Sequence, residues 1–114
     1  MGADLGWTTT AESLRSLDQV PAALANAWLL DHGRDKWGHV VAARSSMHDL
    51  LFTRQGDDYP FQRTVRVSWR DGVYTFELAV PAGQVSADRC FAPKASIVLD
   101  SFLYQLAGDA EPTG

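Results

Sequence analysis

The clearest pattern of apolar and polar positions lies at residues 64–80, TVRVSWRDGVYTFELAV, where apolar and polar residues alternate on both sides of Asp71-Gly72. A period of two is typical of strands that are buried on one face only. Both residues of the Asp-Gly pair tolerate positive φ, which a type I′ turn requires. The pattern therefore predicts an antiparallel hairpin with a two-residue turn.

This turn also predicts the register of the hairpin. Counting outward pairs Trp69 with Tyr74, Val67 with Phe76 and Arg66 with Glu77. A slip by one residue would bring the aromatic side chains into water, so we expect one register. The aromatic side belongs to the core, and the other side is predicted to be polar and solvated; it carries Thr64, Arg66, Ser68, Arg70, Thr75 and Glu77.

Helix signals precede the hairpin. In TTAESL, Thr9 or Thr10 is a candidate cap, with Glu12 at the capping-box distance from Thr9. In LDQVPAALANAWLLDHG, Pro21 suits a first turn and Gly33 is placed to end the helix. We predict one kinked helix or two short helices, with an apolar stripe against the aromatic side of the hairpin.

The stretch KWGHVVAARSSMHDLLFTRQ fits either a helix or two strands. Several of its apolar residues recur at a helical period, whereas HVVA and LLFTR have strand composition and RSS suits a turn. A lone two-stranded hairpin is marginally stable and needs neighbours. We therefore predict strands near residues 37–44 and 48–55, with the helix as the alternative.

The last helix is predicted at APKASIVLDSFLYQLAG, where Pro93 suits the first turn and Gly108 suits the end. Little of its circumference is polar. A helix this apolar on a small domain is either deeply buried or covers a second surface. The segment before it, VPAGQVSADRC, predicts a loop or a short irregular segment.

Together these elements predict an α+β fold: a two-layer sandwich with an N-terminal helix or two short helices, an antiparallel meander of about four strands and a C-terminal helix. We expect one domain over residues 8–108, with flexible termini at residues 1–7 and 109–114. Folding of Trp7 back onto the body is the alternative for the first of these segments. A chain of 114 residues buries roughly two-thirds of its unfolded surface.

Charge and composition narrow the function classes. The formal net charge of −4 argues against a general affinity for nucleic acid. The single cysteine, Cys90, excludes an internal disulfide and agrees with a reducing compartment. No stretch approaches the about 18 apolar residues of a membrane span, and MGADLGWTTT lacks the features of a signal peptide. We expect a cytoplasmic protein with no membrane contact, and the excess of Arg over Lys suggests a GC-rich bacterial genome.

Chemical motifs are sparse. His32, His39 and His48 lack the close spacing of metal ligands, although a cluster of His32, His39 and Asp35 is conceivable. Cys90 lies in ADRCFAP without a glycine-bordered elbow, and a buried structural thiol is the preferred interpretation. We therefore assign no catalytic residue, no metal and no cofactor, and an enzyme using Cys90 or a histidine ranks last.

Two places are candidates for a binding site. Arg66 and Arg70 lie on one side of one predicted strand, and if Arg54 and Arg63 border the same surface they form a cationic patch for an anionic ligand or an acidic partner. Trp37, in the polar run GRDKWGH, is expected to be partly exposed, and aromatic residues are enriched at interface centres.

The leading hypothesis is a non-enzymatic protein-interaction domain, of the adaptor, immunity or chaperone-like kind, that binds a protein partner or self-associates as a dimer through the C-terminal helix. Its candidate partner-binding residues are Arg66, Arg70, Trp37, Leu103 and Tyr104. The alternative is a small-molecule binding domain with a pocket between the sheet and the helices, lined by Trp69, Tyr74 and Phe76.

Overall fold

A computed structural model of the chain describes residues 3–108, and these residues form three helices and five strands. The helices are α1 (Trp7–Arg15), α2 (Pro21–Trp37) and α3 (Ala92–Gly108). The strands are β1 (Val41–Ser46), β2 (Asp49–Arg54), β3 (Thr64–Arg70), β4 (Val73–Val80) and β5 (Gly83–Phe91). They pair antiparallel in chain order, so the sheet is a single meander.

The helices pack on one face of this sheet. Trp7 of α1, Leu30 of α2 and Leu99 of α3 belong to one buried cluster. Alternate residues of β1 to β4 belong to the same cluster: Val41, Ala43, Leu50, Phe52, Val65, Val67, Tyr74, Phe76 and Leu78. Alternate residues of a strand point to the same face. The predicted two-layer α+β sandwich is therefore confirmed, with five strands instead of about four.

The hairpin of β3 and β4 has the predicted register. Trp69 lies opposite Tyr74 and Val67 lies opposite Phe76. Asp71 has a φ of 51° and Gly72 a φ of 87°, as a type I′ turn requires. The turn residues and the alternation thus determine this part of the sheet together.

The ambiguous stretch before the hairpin forms two strands, β1 and β2, which confirms the strand prediction. β1 begins at Val41 and not near residue 37, because α2 continues to Trp37. Met47, in the turn between the two strands, has a φ of 60°.

The prediction of a loop at residues 80–90 is wrong, because most of this segment is β5. Most side chains of β5 are exposed, so no apolar alternation marks the strand in the sequence. Its Gly, Ala, Ser and Asp residues are also poor strand formers. The strand forms because β4 offers it a ladder of backbone partners from Val73 opposite Phe91 to Val80 opposite Gly83, with one register shift between Leu78 and Ala79.

The N-terminal segment is held in place, so the prediction of flexible residues 1–7 is wrong for Leu5 and Trp7. The Trp7 side chain is fully buried, and its Nε1 donates a hydrogen bond of 2.8 Å to the Val41 carbonyl. The Leu5 carbonyl accepts a bond of 2.9 Å from the Ala43 amide. Residues 1–2 and the predicted flexible C-terminal segment, 109–114, lie outside the described residues.

Gly33 does not end α2, contrary to its predicted role. It lies inside the helix and is buried. A Cβ at this position would lie 3.0 Å from Leu99 Cδ2 and 3.1 Å from the Trp7 ring. The glycine is therefore explained by the close approach of two core side chains and not by a left-handed backbone.

The first turn of α1 is capped differently from the prediction. The helix begins after Gly6, whose φ is 88°, and not at Thr9 or Thr10. The Asp4 carboxylate accepts the Thr8 amide at 3.1 Å and the Thr8 hydroxyl at 2.6 Å. Partial burial alone would raise the pKa of Asp4, but these hydrogen bonds and that of the Trp7 amide lower the pKa below its ordinary value.

The last helix is buried along one side. Its core side consists of Ala95, Leu99, Phe102, Leu103 and Leu106, whereas Ile97 and Tyr104 remain exposed. Of the two alternatives for this apolar helix, burial thus accounts for most of its large apolar side chains. No helix within residues 3–108 has the length and apolar character needed to cross a membrane.

The Asp4 contact gives a testable prediction. Asp4→Ala is expected to lower the free energy of unfolding by about 1 kcal/mol at neutral pH. The lowered pKa makes this contribution largest above about pH 4, and it is lost as the pH falls through the folded-state pKa. Thr9→Ala, at an exposed position, should change the free energy by less than about 0.5 kcal/mol. Urea denaturation of both variants measures this, and a loss for Thr9→Ala that equals or exceeds the loss for Asp4→Ala would contradict the prediction.

Candidate functional site

The side of the sheet away from the helices, which we call the outer face, carries four arginines. They are Arg44 on β1, Arg66 and Arg70 on β3, and Arg89 on β5, and the strand acids of this face are Asp49 on β2 and Glu77 on β4. The strand register shows that these side chains share one face. Arg44 lies opposite Leu51, Leu51 opposite Arg66, and Arg66 opposite Glu77.

Charge is distributed unevenly between the two sides of the molecule. The strand residues of the outer face include four of the ten Lys and Arg residues but two of the fourteen Asp and Glu residues. They carry a net charge of +2, whereas the rest of the chain contains six cations and twelve acids. The outer face is therefore a local cationic surface on an acidic protein.

Arg66 forms an ion pair on this surface. Its Nε donates to Asp49 Oδ2 at 3.0 Å, and the side chains of Arg66 and Asp49 are 41% and 28% exposed. A guanidinium has five N–H donors in a rigid fork, so one bond to Asp49 leaves the terminal nitrogens available. Arg70 is exposed four residues further along the same strand, with Ser68 between them on the outer face. The predicted pair of arginines thus shares one open surface.

The other two arginines of the predicted patch lie elsewhere. Arg54 is opposite the core residue Val41, so it belongs to the helix side of the sheet. The Arg63 guanidinium donates to the Gln105 carbonyl of α3 at 3.3 Å. The expectation that they border the surface of Arg66 and Arg70 is wrong. The pairing of β2 with β1 places Arg54 on the helix side, and Arg63 contacts α3.

Arg44 and Arg89 take their place, and sequence analysis missed both. Val41 and Ala43 are buried on the helix side, so the strand alternation places Arg44 on the outer face. The alternation within the predicted strand therefore contained the signal for Arg44. Arg89 lies in the segment that was interpreted as a loop. Its face is set by pairing with Thr75 of β4, and no local pattern shows that.

The β2–β3 loop covers part of the outer face. The Phe61 ring lies under the Arg44 guanidinium at 5.1 Å, and Tyr59 contacts Phe61 edge to face at 5.9 Å. A shallow cavity of about 250 Å³ is lined by Tyr59, Pro60, Phe61, Thr64, Ala79, Val80 and Pro81. The outer face is therefore polar over most of β3 and β4 but apolar at this end, where the prediction of a fully solvated face does not hold.

Trp37 and Leu103 are not surface residues, contrary to their predicted role. Trp37 is buried, and its Nε1 donates to Asp100 at 2.7 Å. Leu103 is fully buried in the core face of α3. Tyr104 does lie on the surface, with the Lys36 ammonium 5.0 Å from its ring centre. Of the three candidate partner-binding residues on the helix side, only Tyr104 is therefore exposed.

The histidines are not gathered at one point. His39 and Asp35 line a cavity of about 330 Å³ together with Ala3, Asp4, Thr8 and Arg34. His32 instead packs on Trp28, with its Nδ1 2.9 Å from the Trp28 carbonyl. Within residues 3–108, no three His, Cys, Asp or Glu side chains are grouped so that they could hold a metal ion.

Cys90 is half-buried on β5, opposite Tyr74. Burial raises the pKa of the Cys90 thiol, and the nearby Asp88 carboxylate adds to the increase. Since the thiolate is the reactive form of cysteine, this environment does not activate Cys90 as a nucleophile.

The aromatic residues of the hairpin are packed into the core. The Phe76 and Phe102 rings stack with centroids 5.6 Å apart. The Tyr74 hydroxyl donates to the Ala25 carbonyl of α2, and the Trp28 ring stacks on Tyr74. Both cavities described above lie away from these residues.

Comparison of this chain with protein-family models, with curated proteins and with solved structures finds no match.

The Tyr74 environment gives a testable prediction. Burial raises the pKa of Tyr74 far above its ordinary value, with a smaller contribution from Cys90. The hydroxyl should therefore remain protonated in the folded protein at about pH 10, where a tyrosine in an unfolded chain is half ionised. The stability that it contributes is complete below that pH and is lost as the pH rises above it.

Ultraviolet titration measures this effect. Subtracting the spectrum of Tyr74→Phe from that of the unmodified protein isolates the Tyr74 phenolate, which is expected only after unfolding. Tyr74→Phe should also lower the free energy of unfolding by about 1 kcal/mol, the net value of one hydrogen bond. Ionisation of Tyr74 near pH 10 in the folded state would show that these aromatic residues border an open pocket.

Proposed function

We propose that this chain is a non-enzymatic protein-interaction domain, of the adaptor, immunity or chaperone-like kind, whose outer face binds an acidic segment of a partner protein. The observation that supports this proposal best is the segregation of charge. Four arginines lie on the one face of the sheet that the helices leave uncovered, on a chain whose net charge is −4.

The spacing of the arginines suits carboxylates on an extended chain. Arg66 and Arg70 are four residues apart on β3, which is about 13 Å along a strand. Arg44 and Arg66 lie two strands apart, which is about 10 Å across the sheet. A partner segment with Asp or Glu at every fourth residue would match the first distance, and guanidinium groups bind carboxylates in a planar, two-bonded geometry.

Nucleic acid fits this face less well. Asp49 and Glu77 lie beside Arg66 in the middle of the surface, where they would repel an evenly charged phosphate backbone. A protein segment can place an apolar or hydroxyl side chain over these acids. The proposal therefore has a protein partner, with neither nucleic acid nor membrane.

The proposal moves the predicted interface from α3 to the sheet. Most large apolar side chains of α3 pack in the core, and the exposed ones are Ile97 and Tyr104. Tyr104 remains a candidate contact at the margin of the helix layer. A cytoplasmic setting in a bacterium, with no cofactor, belongs to the same proposal and rests on the free cysteine and the amino-acid composition.

The alternative of a small-molecule binding domain remains a prediction. Its proposed pocket residues Tyr74 and Phe76 are fully packed, and the titration of Tyr74 described above tests it.

Peptide binding tests the proposed function. A fluorescein-labelled peptide of alternating Glu and Thr is the probe, and a Lys-Thr peptide of equal length is its control. The Glu-Thr peptide should raise the fluorescence anisotropy on binding, and added salt should weaken the binding, because exposed ion pairs are screened. The double variant Arg66→Gln, Arg70→Gln should bind about tenfold more weakly, which corresponds to about 1.4 kcal/mol.

The matched control removes the same charge from the helix side. Arg15 and Arg34 both pair with Asp31 there, so Arg15→Gln, Arg34→Gln should leave the peptide affinity nearly unchanged. Equal weakening by both double variants would mean that only net charge matters and would contradict the proposal. Absence of binding, or competition by single-stranded DNA at similar concentrations, would contradict it as well.

A further inference from the structure

The shallow cavity at the β2–β3 loop, which we call the loop cavity, opens on the same side of the sheet as the arginines. Two of its lining residues, Thr64 of β3 and Ala79 of β4, are cross-strand partners. Their neighbours Val65 and Leu78 are buried in the core, so strand alternation places Thr64 and Ala79 on the outer face. The loop cavity is therefore part of the outer face, at the end of β3 that precedes Arg66.

The lining of the loop cavity is apolar and open to solvent. The loop contributes Tyr59, Pro60 and Phe61, and the end of β4 contributes Val80 and Pro81. The Tyr59 side chain is 83% exposed, although its ring contacts Phe61. Covering this surface with an apolar side chain removes apolar area from water, which is favourable. The loop cavity therefore suits one aliphatic side chain of a bound molecule.

The charges around the loop cavity differ between its two sides. On the strand side, Arg66 is two residues along β3 from the cavity, and the Arg44 guanidinium lies 5.1 Å from the centre of the Phe61 ring. On the loop side, Asp57 and Asp58 precede the aromatic residues. A carboxylate of a bound segment is therefore attracted toward the strands and repelled from the loop.

The spacing along β3 matches that of an extended chain. Thr64 and Arg66 are two residues apart, which is about 7 Å along a strand, and Arg66 and Arg70 are about 13 Å apart. In an extended segment, residues separated by an even number of positions point to the same side. A residue in the loop cavity thus places the positions two and six residues away over Arg66 and Arg70, with all three side chains facing the sheet.

We propose that the acidic segment of the partner protein carries one aliphatic residue, the anchor, that enters the loop cavity, with acidic residues two and six positions from it over Arg66 and Arg70. This inference rests on the proposed function, because it specifies the segment that the outer face binds. The cationic surface that continues from the cavity requires an acidic occupant. The anchor fixes the register of that occupant, which charge alone leaves loosely defined because exposed ion pairs are weak.

Peptides in a polythreonine background test this inference by fluorescence anisotropy. The acidic peptide has two Glu residues four positions apart. Two anchored peptides add one Leu, either two positions before the first Glu or two positions after the second, for the two directions along β3. One of them should bind about tenfold more tightly than the acidic peptide, because part of the Leu side chain leaves water. With the Leu three positions from the nearer Glu, where it faces away from the sheet, the gain should be at most about twofold.

Variants of the protein locate the anchor. Ala79→Ile fills the loop cavity without a change of charge, and Tyr59→Ala removes an exposed ring from it. Each should reduce the gain from Leu to about twofold or less and leave the affinity for the acidic peptide unchanged. The matched controls are Ala87→Ile, at an exposed position of β5, and Phe91→Ala, which removes an exposed ring opposite Val73. Both should keep the tenfold gain, and circular dichroism checks that all four variants fold.

The outcomes separate this inference from the proposed function. Binding of the acidic peptide without a gain from Leu, or with an equal gain at all Leu spacings, would overturn the anchor and leave the acidic partner in place. A gain that survives both Ala79→Ile and Tyr59→Ala, or that is lost on Phe91→Ala, would do the same. Absence of binding by every peptide would overturn both proposals. Undiminished binding of the anchored peptide to Arg66→Gln, Arg70→Gln would also overturn both, because the acids would then contribute nothing.

Discussion

The buried indole of Trp7 contacts residues of β1, β2 and α2 at the same time. Its Nε1 donates to the Val41 carbonyl, and its ring lies 5.1 Å from that of Phe52. The ring also lies close to α2, so that a Cβ at residue 33 would be 3.1 Å from it. A buried tryptophan needs a partner for its N–H, and meeting that need positions α1 against both β1 and α2.

This constraint also determines which surfaces remain open. With α1 held against β1, the chain at Leu5 bonds to Ala43 and closes that edge of the sheet. All three helices then lie on one face, in one cluster with the sheet. The outer face and the β5 edge are left uncovered by the helices, and they meet along β5, where Arg89 belongs to both.

The outer face binds its own acids only loosely. The Arg66–Asp49 pair is partly exposed, and pairs of this kind contribute at most about 1 kcal/mol to stability. Its main effect is to hold one guanidinium across two strands while most of its N–H donors stay available. The pair can therefore be broken at small cost, in contrast to the packed aromatic side of the same strands.

Local signals in the sequence determined the hairpin, the presence of helical structure before the sheet and after it, and the common face of Arg66 and Arg70, because turn chemistry and periodicity act within one element. The rest was decided by neighbours in space. β5 is a strand because β4 pairs with it, and Trp37 and Leu103 are buried because α2 and α3 meet. The full set of outer-face arginines depends on registers between strands, and no periodicity within a single strand encodes the alignment of one strand with the next.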